Sequence, residues 1–131
     1  MTKLVVATTN RGDWEGLRAL HAPDVDFVDN RIASFGLLEG RANFFDHIAT
    51  MVDVLPHTRI MTVAFSPASL GSVALIRTDS TTADGGAIED LFVVLSIVAG
   101  DTITHVEYFD EEALADARAR LAELAPEQGE T

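Results

Sequence analysis

Gly71-Ser-Val-Ala-Leu-Ile-Arg-Thr-Asp-Ser-Thr-Thr82, then Asp84-Gly-Gly86, then Ala87-Ile-Glu-Asp-Leu-Phe-Val-Val-Leu-Ser-Ile-Val-Ala99, then Gly100-Asp101 and Thr102-Ile-Thr-His-Val-Glu-Tyr-Phe-Asp110: the turn residues between these apolar runs predict three antiparallel strands in succession. Successive strand residues alternate faces and directly opposed residues share one, so turn lengths fix which side chains meet. A two-residue turn at Gly100-Asp101 sets Val98 opposite Ile103, Ser96 opposite His105, Val94 opposite Glu107 and Phe92 opposite Phe109. Glu107 then shares a face with Val94 and Phe92. An even number of residues in the preceding loop brings Arg77 and Asp79 to that face as well. An odd number sends them to the other side.

Working outward, Gly71–Thr82 and Ala87–Ala99 are apolar on both parities, and a sheet with two apolar faces needs two covers. Helices are expected to cover one face and a second copy of the chain the other, which predicts a homodimer through the outer sheet face. The competing arrangement has the last helix wrap round to that face. A further strand is expected at Arg59–Ser66 and another over Val25–Asn30. Phe44, Ile48, Met51 and Leu55, flanked by Phe45 and Val52, form the clearest amphipathic stripe, which Pro56 ends. Trp14, Leu17 and Leu20 predict a short helix capped by Asp13 or Asn10. A final helix is expected over about Glu111–Leu124. Lys3–Ala7 reads equally as strand or helix fragment.

With 131 residues and 47% hydrophobic content, residues 1–125 fit a single domain, followed by a disordered tail at 126–131. The absence of cysteine excludes disulfides and thiolate metal sites. Leu91–Val98 is far shorter than the roughly 18 apolar residues of a membrane span, and the N-terminus has no secretion-signal layout. These features lead to the expectation of a soluble, cytoplasmic protein. A net charge of −12 argues against nucleic acid and anionic membranes as partners. No two of the four histidines have metal-site spacing, and no glycine-rich phosphate loop or nucleophile elbow is present.

The phrases Trp14-Glu-Gly-Leu-Arg-Ala-Leu-His-Ala-Pro-Asp24, Val28-Asp-Asn-Arg31, Leu38-Glu-Gly-Arg41 and Ile103-Thr-His-Val-Glu-Tyr-Phe-Asp110, in this order of elements, resemble the nuclear transport factor 2-like superfamily and its SnoaL-like members. The resemblance implies an α+β cone, a curved antiparallel sheet with helices on its concave face and a pocket between them. Members of that superfamily usually open with a long lid helix, whereas only about a dozen residues precede Trp14 here. The fold hosts isomerases, cyclases, hydrolases and proteins without chemistry, so it leaves function open.

Within that resemblance, Arg77-Thr-Asp79 with Glu107 looks like the Asp-Arg-Asp arrangement of limonene-type epoxide hydrolases. It implies Glu107 as base, Asp79 as acid and Arg77 as the orienting charge, because carboxylates bridged by an arginine in a dry pocket can have their pKa values split. His105 would share that face. The Tyr-x-Asn pair of those hydrolases is missing, which leaves Asp29 or Asn30 to hold a water. Trp14, Met51, Leu55 and Phe92 are candidate pocket walls, and each is equally at home in a core. Two functions stay open. One is a metal-free, cofactor-free acid/base enzyme on a small hydrophobic substrate, acting by epoxide opening or by proton transfer beside a carbonyl. The other is a non-catalytic module that binds an apolar ligand or dimerises. Structural ion pairing at Arg77, Asp79 and Glu107 is the competing account of those residues.

Overall fold

A computed structural model describes residues 1–32, 36–55, 57–68, 70–82 and 84–124. Pro56, read as the stop of the amphipathic helix, and the expected tail at 126–131 lie outside the described residues. The chain runs α1 (Thr2–Asn10), α2 (Trp14–Ala19), β1 (His21–Asp29), β2 (Leu37–Glu39), α3 (Arg41–Val54), β3 (His57–Ala68), β4 (Gly71–Thr81), β5 (Ala87–Ala99) and β6 (Thr102–Asp110). A 3₁₀ turn at Glu111–Ala113 then leads into α4 (Leu114–Leu124). The strands form one curved, open sheet in the order β2-β1-β6-β5-β4-β3, with β1 parallel to β6 and the other pairs antiparallel. It is the α+β architecture expected from the sequence.

The ambiguous N-terminus is helical, and it is anchored by a side chain acting as a strand partner. Asn10 Nδ2 donates to the Ile60 carbonyl at 2.9 Å, and its Oδ1 accepts from the Ile60 N–H at 2.8 Å. Both backbone groups of an edge-strand residue are thereby satisfied, which ties α1 across one sheet face. Asp13 caps α2 by accepting from the Gly16 N–H at 2.9 Å. Glu15 in its first turn and Arg18 in its last complement the helix dipole.

Two register details decide which residues face the inside. The turn at Gly100-Asp101 forms as expected, with Ala99 opposite Thr102, Val98 opposite Ile103 and Gly100 at φ +61°. One residue later β6 bulges, so that Ile97 pairs with His105 and Leu95, not Val94, pairs with Glu107. The Thr104 hydroxyl, donating to the Ile97 carbonyl at 3.4 Å, marks the extra residue. At the other end, Thr81 pairs with Ala87, leaving the odd-numbered loop 82–86. It closes on Thr82, whose N–H donates to the Gly86 carbonyl and whose carbonyl accepts from the Gly85 N–H. Arg77 therefore lies opposite Leu91 and Asp79 opposite Glu89. Both slips are of one residue, and both move charged groups off the face that holds Phe92 and Val94.

The two faces have separate cores. On the inner face, Leu17, Val25, Phe27, Phe44, Phe45, Ile103 and Val106 pack under α2 and α3. On the outer face, Val73, Val93, Leu95 and Phe109 pack against Ala117 and Leu121 of α4. The last helix thus wraps round to the second face and covers this apolar surface within the chain, the arrangement that competes with a homodimer through that face. Gly71 sits where a β-carbon would fall 2.2 Å from the Ser96 carbonyl oxygen, so β4 and β5 approach there only because the side chain is missing.

Candidate functional site

A cavity of about 720 Å³ opens between the inner sheet face and α1, α2 and α3, within the size range of small-molecule sites. Its wall is largely apolar, with Trp14, Ile48, Met51, Leu55 and Phe92 among the lining residues. Met51 is exposed and Ile48 and Leu55 half-buried, while Phe44 and Phe45 are buried. The helical stripe read from the sequence is therefore core at its N-terminal end and cavity wall at its C-terminal end. The nine-residue α1 supplies Val5, Val6 and Thr9 to the same wall, so a short lid is present.

Polar side chains line this cavity at several places, His47, Thr78, Ser80 and Ser96 among them, and Arg31 and His21 are held at two of these. At one, Arg31 follows β1 and folds back on the sheet. Its Nε and Nη2 donate to the two oxygens of Asp29 at 2.9 and 2.8 Å, and its backbone N–H donates to Asp29 Oδ1 at 3.0 Å. The Asp29 side chain is 0% exposed, so this bidentate pair is rigidly held. The guanidinium carbon stands 5.4 Å from the ring centroids of both Phe92 and Tyr108, which themselves meet edge to face. Asp90 Oδ2 lies 3.9 Å from Nη1, too far for a hydrogen bond. The outer amino group of Arg31 therefore keeps donor capacity toward the cavity. Burial, with Asp29 adding to it and Arg31 opposing it, pushes the Tyr108 hydroxyl well above its ordinary pKa, so it stays a phenol.

The second polar group is His21, at the cavity floor. It is 5% exposed and ringed by Phe27, Phe44 and Phe45. Its Nδ1 lies 2.9 Å from the Leu17 carbonyl, which can only accept, so Nδ1 bears the proton. Burial lowers its pKa, opposed by that hydrogen bond and reinforced by Arg41, and keeps the ring neutral at pH 7.

The residues expected to form the catalytic trio are elsewhere. Arg77, Asp79 and Glu107 do share one face, but it is the outer one. Arg77 donates to Asp79 at 3.0 Å and approaches Glu89 at 3.1 Å, with 40% and 39% of the Arg77 and Asp79 side chains exposed. Glu107 stands opposite Leu95, itself opposite Val73, so Arg77 is four residues along and two strands away, about 13 Å and 10 Å respectively. The trio is not assembled. Glu107, 3% exposed, instead accepts from His105 Nε2 at 2.7 Å, Asn30 Nδ2 at 3.0 Å and Arg120 Nε at 3.1 Å. His105, expected beside the trio, and Asn30, a candidate to hold a water, are engaged in this network, which fastens α4 to β6. Asp29 reaches the cavity only through Arg31. Trp14, Met51, Leu55 and Phe92 line it directly.

Burial raises the pKa of the Glu107 carboxyl, but the hydrogen bonds from His105, Asn30 and Arg120 outweigh it and hold the group below its ordinary value. A depressed carboxylate contributes stability that is complete above the unfolded-state pKa and is lost as pH falls through the folded-state value. Glu107→Gln should therefore unfold about 1–2 kcal/mol more easily at neutral pH, a figure discounted for the exposure of Arg120. The two stability curves should converge in acid. A gap that stays constant down to the acid limit in a denaturant series would contradict this account.

Among the described residues no group of histidines and acids is arranged to hold a metal, and no helix is long and apolar enough to cross a membrane.

The fold and the cavity define a nuclear transport factor 2-like cone, and solved structures share it. TerC, co-crystallised with polyporic acid, is 21% identical with a TM-score of 0.71, over 88% of this chain and 93% of that one. A nuclear transport factor 2-like protein from Burkholderia pseudomallei is 18% identical with a TM-score of 0.71, over 95% and 94%. A protein of ketosteroid isomerase-like fold from Catenulispora acidiphila, solved with trimethylamine, is 15% identical with a TM-score of 0.69, over 82% of each chain. The family model described as a SnoaL-like domain matches residues 3–106, and the chain belongs to the SnoaL-like family. This fold family includes polyketide cyclases and isomerases. Comparison with curated proteins finds no match.

Proposed function

We propose that this protein binds a small, apolar carbonyl compound in the inner cavity, with the carbonyl oxygen on Nη1 of Arg31. The observation behind this reading is the Arg31 guanidinium, fixed by Asp29, set against Phe92 and Tyr108, with an outer amino group 3.9 Å from Asp90 and free of a hydrogen bond beside an apolar wall. Asp29 cancels the charge of Arg31, and Asp90 stands close by. The local balance favours a neutral carbonyl over a carboxylate, which Asp90 would repel. The likeness to TerC, crystallised with polyporic acid, supports a cavity suited to a small organic molecule.

A catalytic reading is favoured by the position of Asp90. A carboxylate 3.9 Å from Nη1 stands where it can take a proton from the carbon next to a carbonyl, while Arg31 stabilises the enolate oxygen that forms. This is proton transfer of the kind used in isomerisation and cyclisation. Epoxide opening by Arg77, Asp79 and Glu107 has no support, since the three groups face away from the cavity.

Acetylnaphthalene and ethylnaphthalene test the binding mode, since they differ in the carbonyl alone. Fluorescence titration is expected to show the ketone binding more tightly, and Arg31→Leu should weaken the ketone about tenfold, the value of one hydrogen bond to a charged donor. Ethylnaphthalene should be unaffected. Equal losses for both compounds would mean that Arg31 only holds the fold.

A further inference from the structure

The floor of the cavity holds a group that the reading above leaves unused. His21 is 5% exposed, and its Nδ1–H is committed to the Leu17 carbonyl. Its Nε2 consequently bears a lone pair. No hydrogen bond to Nε2 occurs among the described residues, and no buried side-chain nitrogen or oxygen there is sealed away without a partner. Nε2 is therefore reachable, and the space that His21 lines is the cavity. The imidazole is set by three phenyl rings, Phe27 at 5.6 Å, Phe44 at 6.2 Å and Phe45 at 5.6 Å between centroids. Arg41 donates to the His21 backbone carbonyl at 3.1 Å and disfavours the charged ring, while Arg18 lies over the neighbouring Phe45.

A neutral acceptor in an apolar floor discriminates strongly. A ligand that brings a hydroxyl satisfies Nε2, whereas one that brings a methyl group or an ether covers it and leaves it without a partner. From these contacts we infer that His21 is a specificity-determining residue, which accepts a hydrogen bond at Nε2 from a hydroxyl on the end of the ligand that enters first. The ligand is then an elongated apolar molecule with a hydroxyl at one end and a carbonyl at the other. Its length follows from the register: His21 pairs with Ile103 and Asp29 with Tyr108, which separates the two polar ends by roughly 15 Å of strand before side-chain reach is subtracted. The inference rests on the Arg31 reading only for the direction in which the ligand lies.

The test uses acetylnaphthalene and its derivatives bearing a hydroxyl or a methoxy group at the far end of the ring system, titrated into the whole chain. The hydroxy compound should bind about tenfold more tightly than either of the others, and His21→Phe should abolish that preference while binding of acetylnaphthalene is retained. In ¹⁵N spectra of the wild type, the His21 Nε2 resonance should move on addition of the hydroxy compound and stay in place with the methoxy compound. This second readout needs no variant, and so it decides the matter even where His21→Phe does not fold. A preference that survives His21→Phe, or a wild type indifferent to the hydroxyl, overturns the assignment. If the carbonyl is needed and the hydroxyl is not, Arg31 stands and His21 falls. If Arg31→Leu has no effect while the hydroxyl preference persists, the reverse holds. Failure of all three compounds to bind overturns both.

Discussion

Phe27→Ala is expected to cost about 3–5 kcal/mol of folding stability, the range for removing a fully buried phenyl ring. Phe27 is 1% exposed, and its ring lies parallel to that of Phe44 with centroids 3.4 Å apart. It also touches His21. One side chain thus joins the centre of β1 to α3 and supports the histidine at the cavity floor. Alanine there removes the contacts on all of these sides, and β1, held between β2 and β6, cannot close the gap. The thermal midpoint should fall by more than ten degrees or so for a domain of this size, and urea unfolding should give the matching free energy. A loss below about 1 kcal/mol would mean that the inner core is not organised around this ring.

Asp90→Asn carries the largest expected effect on chemistry. In heavy water the methyl protons of acetylnaphthalene exchange slowly through the enolate. A protein that presents Arg31 to the oxygen and Asp90 to the adjacent carbon should speed that exchange. Removing the carboxylate should slow the protein-dependent rate by about two orders of magnitude or more, as for loss of a general base. Affinity should be little changed, because Asp90 stands 3.9 Å from Nη1 of Arg31, beyond hydrogen-bond distance. A wild type that does not accelerate exchange ends the catalytic reading and leaves the binding one intact. An accelerated rate unchanged in Asp90→Asn would assign the base to another residue.

Most of the architecture was legible because it depends on patterns that span many residues. The strands read at Gly71–Thr82, which ends one residue earlier, and at Ala87–Ala99, the stripe from Phe44 to Leu55 and the Gly100-Asp101 turn all formed. Facing was harder, because a single residue inverts it. The odd loop at 82–86 and the bulge at Thr104 each reversed the side on which a charged group emerges. One sign of the bulge was present: Ile103 and Val106 are both apolar at a spacing of three, which strict alternation cannot place on one face. Both are in the inner core. The pairing of Asp29 with Arg31 follows from their spacing at a strand end. That the guanidinium would lie against both Phe92 and Tyr108 does not, since those rings come from strands far away in sequence. His21 reads as a loop residue beside Pro23. Only the parallel pairing of β1 with β6 puts it in the floor of the cavity.

The distinction between the inner cavity and the outer charged network is open to one direct comparison, the binding of acetylnaphthalene by Arg31→Leu and Glu107→Gln measured side by side. A loss of about tenfold is expected for the arginine variant, with wild-type affinity for the folded glutamate variant. Wild-type affinity in Arg31→Leu together with lost binding in Glu107→Gln would contradict this, and would place the ligand under α4 instead.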